Sequence, residues 1–108
     1  MPTTVTIAER AGQVVLTIAG PADLGTLPTW HRALTGLVTD HPGRDLVIDL
    51  DPVTVLDDTV LGVLLGPAAD ARGAGGSLTI MCSRAAVLDR LRTTGLDLIV
   101  PIRSGSER

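Results

Sequence analysis

A chain of 108 residues is long enough for one domain that buries well over half of its unfolded surface, with no disulfide or metal needed to hold it together. Apolar residues make up 44% of it, yet there is no Phe, no Tyr and a single Trp, so the core has to be assembled from Leu, Val, Ile and Ala. Nine basic residues, all Arg, against twelve acidic ones leave a formal charge of −3, and with no stacking rings this excludes the usual footprint of a nucleic-acid binder.

Met1-Pro2-Thr3-Thr4 has no basic stretch leading into an apolar run, so no secretory signal is read there. Val5 to Glu9 and Val14 to Ala19 are β-branched runs separated by Arg10-Ala11-Gly12-Gln13, the pattern of an antiparallel hairpin. After Gly20-Pro21-Ala22-Asp23 the spacing turns helical, with Leu27, Trp30, Leu34, Leu37 and Val38 on one stripe and Pro28 tolerated in the first turn. This helix ends near His41-Pro42-Gly43. Leu46 to Leu50 reads as a buried strand.

A second helix is expected from Asp57 to about Arg72, bent near Val63 to Gly66 because Pro67 removes one backbone hydrogen bond and crowds the preceding turn. Its longest apolar patch, Val60 to Ala69, is too short to cross a bilayer, so no membrane insertion and a cytoplasmic location are expected. Gly73-Ala74-Gly75-Gly76 stops the helix. A strand at Ser77 to Met81 follows, then a third helix capped by Ser83 and running through Arg92, with Gly95 suited to a left-handed position after its end. Leu98 to Ile102 is read as an edge strand. The order β-β-α-β-α-β-α-β implies an α/β domain over residues 1–103, a mixed sheet covered by helices on one face. Residues from Arg103 onward show no periodicity, and 104–108 are read as a short flexible tail.

The chemistry concentrates at Asp57-Asp58-Thr59, where a hydroxyl stands beside two carboxylates at the start of a helix. Such a start is an exposed turn with unpaired N–H groups and partial positive charge, so added negative charge there changes local energetics and recognition. One of the two Asp residues is expected to be the N-cap, and Leu61 and Leu64 belong to the core. Nothing converges on the carboxylates as general acid–base or metal chemistry would require. His31 and His41 are joined to them by no motif, and Gly73-Ala74-Gly75-Gly76 lacks the Lys-Ser/Thr ending of a phosphate loop. Cys82 reads as a small buried hydrophobe. No enzyme activity, metal or cofactor is expected.

Taken in order, these segments resemble the STAS domain of bacterial anti-sigma factor antagonists over nearly the whole chain. Gly20-Pro21-Ala22-Asp23 stands where that family has a Gly-Glu-Leu-Asp type turn. Asp57-Asp58-Thr59-Val60-Leu61-Gly62 stands where it has Asp-Ser-Ser-Gly-Leu-Gly. Gly75-Gly76-Ser77-Leu78 and Leu91-Arg92-Thr93-Thr94-Gly95-Leu96 resemble its later segments. The resemblance implies a regulatory binding module whose partner is an anti-sigma factor of the serine/threonine kinase type. Phosphorylation of the second Ser of the signature, here Thr59, would release that partner. Asp23, Asp57, Asp58, Thr59 and Val60 would form the centre of the contact. Two positions differ from the signature: Asp58 replaces a Ser, and Val60 replaces a Gly with a stiff β-branched side chain expected to crowd the acceptor. The same fold also serves as a subunit of transporters or signalling scaffolds that is never phosphorylated, and a module binding a small apolar ligand is a third possibility.

Overall fold

The structure is a computed structural model and describes residues 3–103. Strands β1 (Thr4–Arg10) and β2 (Gln13–Ala22) pair antiparallel from Thr4↔Ala19 to Arg10↔Gln13. Their two-residue turn, Ala11-Gly12, has φ of 52° and 82°, the twist that lets a tight hairpin close. A single 3-10 turn, Leu24–Thr26, leads into helix α1 (Leu27–Asp40), which carries Pro28 in its first turn. Trp30, Leu34 and Leu37, spaced four and three residues apart, bury its inner stripe.

Strands β3 (Asp45–Asp49), β5 (Ser77–Met81) and β6 (Ile102–Arg103) extend the sheet in the order β1-β2-β3-β5-β6, every pairing after the hairpin being parallel. A further strand, β4 (Val53–Leu56), pairs in parallel with the far end of β2, from Gly20↔Val53 to Ala22↔Leu56, with a bulge at Gly20/Pro21. Helices α2 (Asp58–Val63) and α3 (Leu65–Gly73) return the chain to β5, and α4 (Ala85–Thr93) returns it to β6.

Alternation along the strands sorts the side chains into two faces. Val14, Leu16 and Ile18 of β2, Leu46 and Ile48 of β3, and Leu78 and Ile80 of β5 share one core cluster with the buried residues of all four helices. The opposite face buries only Val15, Val47 and Met81. The mixed sheet is thus covered by helices on one face, as the sequence order implies.

Several local expectations are corrected. The expected second helix is two, broken at Leu64, whose N–H donates to Leu61 three residues back at 3.1 Å. The break falls inside the predicted bend, and it moves Pro67 into the first turn of α3, where a missing N–H costs nothing. Ser83 does not cap α4: the N-cap is Arg84, and the Ser83 hydroxyl donates to Asp51 Oδ1 at 3.0 Å. Leu98 to Ile102 is not a strand. Leu96–Leu98 forms a 3-10 turn, and only Ile102–Arg103 joins the sheet. Arg103 is therefore part of β6, not of a frayed end, its carbonyl accepting the Cys82 N–H at 2.9 Å. The tail read at 104–108 lies outside the described residues. Gly95, at φ 78°, takes the left-handed position expected of it.

Candidate functional site

The end of the sheet where β2 and β4 stop is assembled by backbone hydrogen bonds. Because Ala22 pairs with Leu56, the next residues of each strand, Asp23 and Asp57, emerge side by side. The Asp57 N–H donates to the Ala22 carbonyl at 2.8 Å and fixes this junction.

Asp23 turns the chain into the 3-10 segment. Its Oδ1 accepts the Thr26 N–H at 3.0 Å while Thr26 Oγ1 accepts the Asp23 N–H at 3.0 Å, a reciprocal capping box. Asp57 has extended backbone and is the N-cap of α2, its Oδ1 accepting both the N–H and the hydroxyl of Thr59 at 2.9 Å. These two hydrogen bonds, the backbone one foremost, hold the Asp57 carboxyl below its usual range, so it stays ionised at neutral pH.

Asp58 and Thr59 are both exposed. Asp58 Oδ1 accepts from Arg90 Nη2 of α4 at 2.5 Å, an ion pair with both side chains about half open to water. The Thr59 hydroxyl thus points outward, tied to one carboxylate and next in sequence to another that α4 neutralises.

Val60 departs from its sequence reading. It is fully buried in the main core, so it can neither touch a partner nor crowd the acceptor. The stiff side chain that replaces the signature's Gly is accommodated because the first turn of α2 aims this position at the sheet. Leu61 and Leu64 are buried as expected. The structure therefore brings Asp23, Asp57, Asp58 and Thr59 together and removes Val60.

Sequence reasoning missed the apolar rim. Leu24, 69% exposed, follows Asp23, and Val55, 58% exposed, lies on β4. On the α4 side of Asp58 a shallow groove of about 190 Å³ runs between Leu61, Gly62, Leu65, Thr94, Leu96 and Ile99. Arg90 was missed as well, because its partner lies 32 residues away and no local pattern links them.

Other candidates resolve as structural. Burial pushes the Cys82 thiol above its usual range, which leaves it a poor nucleophile. His41 Nδ1 lies 3.0 Å from the Leu37 carbonyl and closes the end of α1. Among the described residues no three His, Cys, Asp or Glu side chains are placed to hold a metal ion, and no helix is long and apolar enough to cross a membrane.

An α/β sheet of this order, ending in an exposed Asp-Asp-Thr turn, defines a domain type that comparison with known proteins identifies. The STAS domain model matches residues 4–107, and the chain belongs to that family. It is 30% identical over 103 residues to the anti-sigma-B factor antagonist of Bacillus subtilis, covering 95% of this chain and 93% of that protein. It is 36% identical over 96 residues to the anti-sigma-F factor antagonist RsfB of Mycobacterium tuberculosis, covering 87% of this chain and 75% of that one. Among solved structures, an anti-sigma factor antagonist from Mycobacterium paratuberculosis superposes with a TM-score of 0.84 at 26% identity, over 94% of this chain and 86% of that one.

Proposed function

We propose that this protein is an anti-sigma factor antagonist, a binding protein and not an enzyme, that docks on a kinase-type anti-sigma factor through the surface around Asp23, Asp57, Asp58 and Thr59. The names carried by its relatives from Bacillus subtilis and Mycobacterium tuberculosis support this reading. Leu24, Val55 and the groove beside α4 supply apolar area that a partner can bury, with the charged residues beside it as the polar part of the contact. Opposite charge on the partner would set its choice and association rate.

Thr59 is the proposed phosphoacceptor, and the observation that carries this is its exposed hydroxyl donating to Asp57 Oδ1 at 2.9 Å. An ionised Asp57 fixes the Oγ1–H direction and leaves the oxygen lone pairs open to solvent. In the transfer, Oγ1 forms a bond to the γ-phosphorus of ATP, the bridging β–γ bond breaks, ADP leaves, and the hydroxyl proton passes to a base of the kinase. The product adds about −1.5 to −2 of charge between Asp57 and Asp58. Among the described residues Arg90 is the cation paired with Asp58, and its single charge does not offset the phosphate, so the surface becomes strongly anionic and partner binding is lost.

Incubation with the cognate anti-sigma factor and ATP, followed by mass spectrometry, tests the assignment. Phosphate on Thr59 that is absent from Thr59→Ala supports it. Stable binding with no modification at Thr59 rejects the switch and favours an unphosphorylated scaffold or transport role.

A further inference from the structure

The sheet face without helices carries a second constellation, far from α2 and independent of the reading above. Val15 of β2 and Val47 of β3 are register partners, and with Met81 of β5 they form an apolar cluster separate from the main core. Val47 is only 1% exposed although no helix of the described residues lies over it. Long polar side chains lean across this floor. Arg103 on β6 and Gln13 at the start of β2 reach toward each other, Nη2 to Oε1 at 3.5 Å, their stems lying along apolar surface. A concavity of about 280 Å³ remains between these two, Arg10, Ala11 and the floor of Val15, Val47 and Met81.

Three features give this concavity a preference. The Nε of Arg103 is buried and has no hydrogen-bond partner, a costly state for a guanidinium N–H that an acceptor from outside would relieve. Arg10, a second arginine, also lines the concavity. No acidic residue is among those that line the concavity; the nearest on β3, Asp45 and Asp49, flank Val47, where Asp45 Oδ1 accepts the Ser77 hydroxyl at 2.9 Å and Asp49 Oδ1 accepts the Asp51 N–H at 3.0 Å.

We propose that this concavity binds a small amphipathic carboxylate, its head against the guanidinium groups of Arg103 and Arg10 and its alkyl body on Val15, Val47 and Met81. A carboxylate matches the planar fork of an arginine, and an apolar floor with a few convergent polar groups is the usual construction of a small-molecule site. At about 280 Å³ the concavity lies at the small end of ligand-site volumes, which suits a carboxylate of about ten non-hydrogen atoms. Octanoate has that size.

Titrating octanoate into the isotope-labelled full chain, followed by amide and methyl NMR, tests the site. Saturable shifts at Val15, Val47, Met81 and Arg103 are expected, with neither acetate, which lacks the body, nor octylammonium, which lacks the carboxylate, reproducing them. Arg103→Gln should weaken octanoate at least tenfold. Gln13→Glu offers Arg103 an internal carboxylate instead and should abolish binding without disturbing β6, which keeps the test decisive if Arg103→Gln folds poorly. The proposal is overturned if octanoate produces no saturable shifts on this face, if octylammonium binds equally well, or if a folded variant keeps the wild-type affinity.

Discussion

The two ends of the parallel strands are built on opposite terms. Where β3 and β5 begin, backbone meets backbone. Gly76 lies so close to Arg44 that a Cβ would collide with the Arg44 carbonyl oxygen, and the Ser77 N–H donates to that same oxygen at 3.2 Å. Gly43 and Gly75, with φ of 75° and 85°, make the turns that allow the approach. Where β2 and β4 stop, the backbone bond from Asp57 to Ala22 fixes the junction, but the groups that face outward from it are held by side chains: Asp23 to Thr26, Asp57 to Thr59, Asp58 to Arg90. The first end cannot change chemically without moving the main chain. The second can gain or lose charge while the main chain stays in place, and that suits it to recognition and switching.

Breaking each end should therefore give different readouts. The largest expected effect comes from the core beneath the switch, since Leu64 is fully buried at the break between α2 and α3. Leu64→Ala should destabilise by about 2–5 kcal/mol in chemical denaturation, the range for truncating a buried leucine. At the opposite end Gly76→Ala should cost about 1–3 kcal/mol, as overpacking does, because the obstacle is backbone and cannot swing aside. A variant as stable as wild type would mean that the Arg44 and Gly76 segments part easily.

Thr59→Glu sharpens the comparison from the other side. It should leave the denaturation midpoint nearly unchanged, since the position is exposed and acidic residues suit a first helical turn. Binding to the anti-sigma factor should nevertheless weaken at least tenfold, about 1.4 kcal/mol by calorimetry. Equal affinity for Thr59→Glu and Thr59→Ala would show that the standing charge of Asp58 already dominates and that Thr59 is no switch.

How much of this was legible in the sequence follows the range of each interaction. Period and punctuation place β1, α1, β3 and β5 within a residue or two, because Val and Ile alternation, the Trp30-Leu34-Leu37 stripe and Gly95 act locally, whereas β2 runs three residues past the end read for it, to Ala22. Strand β4 escaped because four residues between Pro52 and Asp57 carry too little pattern, and their pairing with the end of β2 is a tertiary event. Ser83 misled for the same reason: its hydroxyl is taken by Asp51, 32 residues earlier. At the site, Asp57, Asp58 and Thr59 could be found as a cluster of polar residues at a helix start. That Val60 turns inward, or that Arg90 arrives from α4, depends on the helix's rotation against the sheet, which adjacent identities do not encode.

The smallest predicted effect concerns the cap itself and has a definite sign. Hydrogen bonds from Thr59 favour the charged form of Asp57, so the folded protein binds that proton less tightly than the unfolded chain, where the carboxyl titrates near about 3.9. The cap's contribution is then fully present above the unfolded value and fades as pH falls through the lower folded one. Asp57→Asn keeps an N-capping oxygen but cannot titrate. Thermal melts of both proteins between pH 6 and pH 2 should show the wild type's advantage shrinking toward the acid end, every other carboxylate being common to the pair. A difference that stays constant over that range would mean that Asp57 caps α2 no better ionised than neutral. Its hold on the Thr59 hydroxyl would then owe nothing to charge.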